Sequence, residues 1–223
     1  MVLEGLSTGL ITLTTDNNPD GIVMPTAVSL LLPAANKANA AVNWATAASA
    51  TPITDIQTRV EAAKAKGQAF AKILMDSSLW LKFIKTTEVK DLYGAFLGKA
   101  NNKVIPTLET VNEFLTGLKL PIIEIVNVSI GVEKDGMITA YNPFSTTNAV
   151  FIPGGKLGRI QIALSVEELN KVDNINYAKF NNVLVSKWRE NEPWAEYTKS
   201  ELNAFPSISQ IDGIYLLSTT LAF

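Results

Sequence analysis

The spacing of apolar side chains changes at Pro121, and this change constrains the fold more than any other feature of the sequence. Within residues 53–118, most apolar residues recur at steps of three and four, the spacing of one helix face. Between positions 122 and 132 they follow a period of two, which is typical of strands. Helices and strands that occupy separate stretches of a chain favour an α+β fold. The sequence therefore predicts helices in the middle and strands at both ends.

The first predicted helix follows Thr51. Thr51 is a favoured N-cap residue, Pro52 fits the first helical position, and Asp55 lies in the first turn, where the helix dipole favours an anion. Gly67 can end this helix because glycine adopts the left-handed conformation common after a C-terminus. A short strand at residues 73–75 is expected next.

Two further helices are predicted before Pro121. Asp76 or Ser77 caps the first of them, and the second opens at Pro106 and ends near Gly117. Their apolar stripes are Leu79, Trp80, Phe83 and Ile84 on one, and Leu108, Val111, Leu115 and Leu118 on the other. Such stripes normally face a core, so Trp80 is expected to be buried rather than to form a ligand-binding shelf.

Turn residues separate the predicted strands. Asp135-Gly136 is a strong hairpin signal, and Ser165 with Glu168 three residues later forms a capping box before a short helix. Strands are expected at residues 10–15, 22–24, 122–132, 137–141, 150–152, 158–164, 183–185 and 214–217. The hairpin and polar loop within residues 128–152 are expected to project from the fold with a mobile backbone.

Composition removes most catalytic chemistry. The 223 residues include no His and no Cys, so the chain has no imidazole base, thiolate or disulfide, and a metal site would need oxygen ligands. Charged residues make up 18%, below the roughly 25% of typical soluble domains, and the formal net charge is −2. A surface with few charges is often covered by partners.

Targeting signals are not evident in the sequence. No run of 18 apolar residues occurs, so no membrane span is expected. Residues 1–10 contain Glu4 and no basic residue, which argues against a signal peptide. The absence of cysteine fits a reducing cytoplasm.

No catalytic, cofactor or metal site is predicted. Residues 94–99 and 154–156 are glycine-rich but lack the spacing of a phosphate-binding loop, which favours turns. The pairs Glu167/Glu168 and Glu190/Glu192 could suggest glycosidase carboxylates or a divalent-ion site, but capping and turn roles explain them. A catalytic serine–lysine dyad stays an open alternative at this point. Basic residues in the middle fit a solvated helix face better than a phosphate track: Arg59, Lys64, Lys66, Lys72, Lys82 and Lys85.

Two alternatives to a structural role stay open. Trp188 and Trp194 bracket Arg189 and Pro193, and could form a stacking platform in a carbohydrate-binding or other ligand-binding module. Packing on a sheet flank or a subunit contact would explain the same tryptophans. The other alternative is a metal hydrolase with oxygen ligands, which the lack of histidine disfavours.

The order of these signals resembles the major capsid proteins of tailed phages, of the lambda type (the major capsid protein E family). The resemblance covers nearly the whole chain. It rests on Leu6 to Gly9 with the strand pair up to Pro25, Trp44, the Pro52/Asp55 helix, Gly67, the Trp80 helix, Asp135-Gly136, Val150 to Lys156, Trp188, Glu192-Pro193, Glu196 to Thr198, Phe205-Pro206 and Ile211 to Ile214.

The resemblance implies a capsid protein fold with a peripheral and an axial domain. Residues 1–25 would form a peripheral-domain strand pair, residues 26–165 the axial domain, and residues 166–223 the closing strands of the peripheral domain. The family's N-terminal arm, extended loop and most of its spine helix have no counterpart in these residues. The chain is therefore expected to be N-terminally truncated relative to the family.

The resemblance also implies a non-enzymatic structural subunit of a phage or prophage. Such proteins assemble into hexamers and pentamers that form an icosahedral shell around double-stranded DNA. The implied partners are other copies of the chain, scaffold, portal and decoration proteins, and packaged DNA bound without sequence specificity, with no membrane. The implied location is the virion capsid, after assembly in the bacterial cytoplasm. Without the missing elements, the chain is expected to be a monomer or a weak oligomer in dilute solution.

Overall fold

The computed structural model describes residues 1–14, 27–98, 106–134 and 136–223, without the side chains of Val132 and Lys134. The chain divides into two compact units. The larger unit contains residues 1–157 and 210–223, and the smaller unit contains residues 158–209.

The larger unit contains both helices and strands, whereas the smaller unit is almost entirely strands. The helices are α1 (Val2–Thr8), α2 (Pro52–Lys64), α3 (Ser77–Lys85), α4 (Thr87–Phe96), α5 (Leu108–Gly117) and α6 (Val166–Leu169). The strands are β1 (Leu10–Ile11), β2 (Val28–Ser29), β3 (Lys37–Asn39), β4 (Lys72–Asp76), β5 (Ile122–Val126), β6 (Ile130–Lys134), β7 (Met137–Tyr141), β8 (Asn148–Ile152), β9 (Gly158–Ala163), β10 (Asn176–Phe180), β11 (Val183–Asn191), β12 (Trp194–Glu201), β13 (Asn203–Ile208) and β14 (Tyr215–Ser218). The predicted α+β class is confirmed.

A five-stranded mixed sheet forms the centre of the larger unit. Its strand order is β3-β14-β8-β4-β5, with β8 antiparallel to both of its neighbours. The outer pairs, β3 with β14 and β4 with β5, are parallel. All five residues of β8 are buried, and Phe151 lies opposite both Ile73 and Tyr215. A strand buried along its whole length is expected at the centre of a covered sheet.

Helices α2, α3 and α5 supply the apolar stripes that pack with this sheet. Ile53 and Ile56 of α2 are fully buried, as is Leu115 of α5. On α3, Trp80 stacks on Phe83 with ring centroids 5.5 Å apart. The four stripe residues predicted on α3 are all buried, which confirms Trp80 as a core residue.

The predicted helix starts lie within two residues of the observed ones, but α2 ends at Lys64, three residues before Gly67. Asp76 is the N-cap of α3, and its side chain accepts a hydrogen bond from the backbone N–H of Ser78. The third predicted helix begins at Leu108, two residues after Pro106, because Thr107 is its N-cap. Leu118 lies beyond the end of α5 and is exposed, so it is not part of the buried stripe.

Helix α4 was not predicted from the sequence. Its buried residues Val89 and Tyr93 are four positions apart, which is a helical spacing. The glycine signal at residues 94–99 obscured this pattern. Gly94 is buried inside α4 rather than in a turn, whereas Gly98 does have a left-handed backbone, with φ 65°.

The N-terminal hairpin differs from its prediction. Strand β1 covers only Leu10–Ile11, and its observed partner is β2, with Leu10 opposite Ser29 and Ile11 opposite Val28. The predicted second strand at residues 22–24 lies outside the described residues.

The smaller unit contains two separate sheets. Strands β10, β11 and β12 form an antiparallel meander, and β9 pairs with β13 in an antiparallel ribbon. The first residue of β9, Gly158, must be a glycine. A Cβ atom there would lie only 2.1 Å from the carbonyl oxygen of Ser207. The predicted cap of α6 is present, since the Ser165 hydroxyl accepts from the Glu168 N–H at 3.1 Å.

The observed units and the predicted domains have different boundaries. The central sheet combines β14, from the segment predicted as peripheral, with β4 and β8, from the segment predicted as axial. The names peripheral and axial describe positions within an assembled shell. Their assignment to residues 1–25, 26–165 and 166–223 stays a prediction.

Candidate interaction surfaces

The acidic pairs considered as catalytic or metal-binding groups lie in the smaller unit. Glu167 Oε1 lies 2.9 Å from Lys199 Nζ, and Glu168 Oε1 forms an ion pair with Lys179. Glu190 and its neighbours lie exposed near the β11–β12 turn. Among the described residues, no three acidic side chains converge as metal ligands would. The carboxylates of Glu167 and Glu168 on α6 therefore form ion pairs with lysines of β12 and β10.

Two buried aspartates organise loops of the larger unit. Asp55 accepts hydrogen bonds from Trp44 Nε1 at 2.9 Å and from the Ala41 N–H at 3.0 Å. Asp76 accepts from the N–H and the hydroxyl of Ser78 and from the Asn142 side-chain amide. Burial raises the pKa of Asp76, but these hydrogen bonds outweigh burial and hold the pKa below its ordinary value. The Asp76 carboxylate therefore stabilises the fold as an anion.

The N-terminus of α2 is capped by a residue that the sequence did not indicate. Thr51 occupies the N-cap position, but its side chain makes no capping hydrogen bond. Instead, Glu88 of α4 accepts from the Ile53 N–H at 2.7 Å and from the Thr54 N–H and hydroxyl at 3.3 and 2.6 Å. Glu88 also lies in the first turn of α4, so two helix N-termini share one carboxylate.

Two open cavities border α2 in the larger unit. One, of about 400 Å³, is lined by residues that include Val60, Phe70 and Leu120. The other, of about 490 Å³, is lined by residues that include Ile53, Glu88 and Phe114. Since the Glu88 carboxylate already caps α2, the second cavity reflects helix packing rather than a catalytic arrangement.

The basic residues of the middle segment do not form one helix face. Arg59 and three of the lysines lie on α2 and α3, as predicted. Lys72 lies instead on β4, where its Nζ is 2.6 Å from Glu124 of β5. Lys66 follows α2, donates to Asn36 Oδ1 at 2.9 Å, and lies over the Tyr215 ring at 5.3 Å. Because these two lysines contact other residues of the protein, they do not extend a row of basic side chains that could bind phosphates.

The hairpin of β6 and β7 is exposed along its described length. Lys134 pairs with Met137 across the predicted Asp135-Gly136 turn, and Gly136 has the positive φ of 76° that such turns require. Ile138 is 76% exposed near the tip. The exposed side chains fit the projection expected from the sequence, and the mobility of its backbone stays a prediction.

The loop that follows the hairpin does not project, contrary to prediction. Phe144 is buried, and the Asn142 side chain donates to Asp76 at 2.9 Å. The Ser145 N–H donates to the Ser7 hydroxyl, and the Asn148 side chain donates to the Ser7 carbonyl. The polar residues that suggested a solvated loop instead satisfy buried partners.

Trp188 and Trp194 do not form a common stacking platform. In the β11–β12 hairpin Trp188 pairs with Tyr197, whereas Trp194 pairs with Asn191. Because Trp188 and Asn191 are three positions apart on one strand, their side chains lie on opposite faces of the sheet. Trp188 stacks on Tyr197 with ring centroids 5.4 Å apart, and Trp194 is 73% exposed. This register removes the arrangement on which the ligand-binding alternative rested.

The smaller unit exposes most of its large apolar side chains. Leu184 is the one large aliphatic or aromatic side chain that is buried among residues 158–209, all of which are described. The exposed ones are Ile160, Ile162, Leu164, Val166, Leu169, Val172, Phe180, Trp194, Tyr197, Leu202 and Phe205. Exposed apolar surface on this scale indicates an interaction surface.

Comparison with known proteins agrees with this architecture. No protein-family model and no curated protein matches the sequence. Among solved structures, the fold matches the crystal structure of "the putative capsid protein of prophage" from Escherichia coli CFT073. The TM-score is 0.61 and the identity 15%, over 97% of this chain and 60% of that chain. The fold is phage capsid-like.

A second match is to a phage-related protein from Bordetella bronchiseptica RB50, with a TM-score of 0.48 and 12% identity over 86% of this chain and 58% of that one. The chain thus spans about three fifths of the length of each of these proteins. No helix among its described residues is long and apolar enough to cross a membrane.

Proposed function

We propose that this chain is a structural subunit of a phage or prophage capsid of the lambda type. The observation that carries the proposal is the likeness of 97% of the chain to a protein described as a prophage capsid protein. In this proposal, the subunits form hexamers and pentamers, and these close into an icosahedral shell around double-stranded DNA. A structural role without enzymatic turnover also suits a chain that lacks His and Cys.

The exposed apolar side chains of the smaller unit support an assembling protein. A unit of 52 residues with one large buried apolar side chain gains little stability from its own core. Contacts with neighbouring molecules would remove the remaining apolar surface from water. The proposed partners are therefore other copies of the chain first, with scaffold, portal and decoration proteins and packaged DNA as further ones. The proposed locations are the bacterial cytoplasm during assembly and the virion capsid afterwards.

Protein composition of purified, DNA-filled particles tests this proposal. Particles are induced from a host that carries the gene, treated with nuclease and analysed by quantitative mass spectrometry. Peptides from residues 1–223 should belong to the most abundant protein of the particle. Absence of these peptides, or their presence at only a few copies per particle, would refute a role as shell subunit.

A further inference from the structure

One face of the β9–β13 ribbon presents a continuous row of apolar side chains. Ile162 lies opposite Ala204, and Ile160 lies opposite Pro206, all on one face because side chains alternate along a strand. Pro206 is buried, so it is not part of the exposed row. Ile160 is 60% exposed and Ile162 is 50% exposed.

Leu164 and Leu202 extend this row at one end of the ribbon. Each is exposed and lies one residue beyond the terminal pair of Ala163 with Asn203. We call the row formed by Ile160, Ile162, Leu164, Leu202 and Ala204 the apolar strip.

The charges of the smaller unit do not suit a polyanion as the partner of this strip. Residues 158–209 contain six basic and seven acidic residues, a net charge of −1. Four of the basic side chains face carboxylates: Lys179, Lys187, Arg189 and Lys199. A nucleic-acid surface would need unpaired positive charge. The partner that fits is an apolar and nearly neutral protein surface.

We propose that the apolar strip is a contact surface for a second copy of this chain, strip against strip. This inference rests on the proposed function and adds a two-fold contact to the head-to-tail contacts that rings of five or six copies need. The strips of two copies have the same length and the same apolar character, so they can pair around a two-fold axis. Because each smaller unit has a net charge of only −1, two copies repel each other little. Because the smaller unit has almost no core, residues 158–164 and 202–208 gain order when the contact forms.

Sedimentation velocity with matched variants measures the contact. Ile160→Thr/Ile162→Thr keeps β-branched side chains suited to strands while removing apolar surface. The control is Leu81→Gln on α3, because Leu81 is 51% exposed and so closely matches Ile162. In the wild type, each contact between two copies removes four half-exposed isoleucines from water, two from each copy. The double variant loses this apolar burial and should associate about 100-fold more weakly. The control should associate like the wild type.

Hydrogen exchange locates the contact. With increasing protein concentration, amides of residues 158–164 and 202–208 should become protected in the wild type and in Leu81→Gln, but not in the double variant. Circular dichroism of each variant verifies the fold, which exposed positions should not disturb.

Cross-linking tests the strip-against-strip arrangement. The chain has no cysteine, so Ile162→Cys and Leu81→Cys each provide a single thiol for a short bifunctional reagent. Only Ile162→Cys should give a dimer.

The outcomes separate this inference from the proposed function. If the double variant associates as strongly as the wild type, the apolar strip is not the contact surface, but the proposed self-assembly is not contradicted. Protection of the ribbon only after another protein is added would also overturn the apolar-strip contact. If the wild-type chain never self-associates, both the apolar-strip contact and the proposed capsid function are contradicted.

Discussion

Removing the Glu88 carboxylate should destabilise the larger unit more than removing a glutamate at the same helical position elsewhere. Glu88 accepts three hydrogen bonds from the first turn of α2, and lies at the second position of α4. Hydrogen bonds to a charged group contribute about 1.5–3 kcal/mol each when protected from water. Because Glu88 is half-exposed, hydrogen bonds to water would replace part of this free energy when the carboxylate contacts are lost. We expect Glu88→Ala to lower the free energy of unfolding by about 2–3 kcal/mol.

Two further variants separate the hydrogen bonds from the helix dipole. Glu88→Gln keeps one acceptor oxygen but directs an amide N–H at a backbone donor, and should cost about 1–2 kcal/mol. Glu109 also lies at the second position of its helix, α5, and is exposed. Glu109→Ala should therefore cost only the dipole interaction, about 0.3–1 kcal/mol.

Urea unfolding followed by helical circular dichroism measures these differences. The signal reports the larger unit, since α1 to α5 belong to it and α6 has only four residues. With a slope of roughly 2–3 kcal/mol per molar urea, Glu88→Ala should lower the unfolding midpoint by about 1 M. Equal midpoints for Glu88→Ala and Glu109→Ala would refute the assignment of Glu88 as the cap of α2.

Three further predictions concern other parts of the fold. Asp76→Ala should lower the free energy of unfolding by about 2–3 kcal/mol, through loss of the α3 cap and the Asn142 contact. Because the pKa of Asp76 is lowered by folding, its contribution is present above its ordinary pKa of 3.8 and is lost as the pH falls through the lower folded pKa. The variant should therefore show a weaker acid dependence in pH-dependent urea unfolding. Gly158→Ala should displace β13 from β9 and speed hydrogen exchange in both, because its Cβ would lie 2.1 Å from a carbonyl oxygen. Amides of residues 130–134 and 137–141 should exchange faster than those of residues 142–148, and equal rates would count against the anchored loop.

Local signals predicted the elements that depend on local chemistry. The spacing around Trp80 and the Asp76 cap determined α3, and the Asp-Gly turn before Met137 determined the β6–β7 hairpin. In each of these, neighbouring residues provide both the backbone geometry and the buried face.

Features that depend on tertiary contacts could not be predicted in the same way. Glu88 caps a helix that begins 36 positions earlier in the chain, and Ser7 anchors a loop near residue 145. Hydrophilic composition alone does not distinguish a solvated loop from one whose polar groups satisfy buried partners. The separation of Trp188 from Trp194 required the register of β11 and β12, which sequence proximity does not reveal.

Electron microscopy of the concentrated chain, with its mass distribution measured on the same sample, tests self-assembly most directly. The proposed function predicts reversible association as concentration rises from roughly micromolar to millimolar, the range of weak protein interfaces. It also predicts that the species larger than dimers include rings of five or six copies. A chain that remains monomeric throughout this range, or that forms only irregular aggregates, would contradict a capsid subunit.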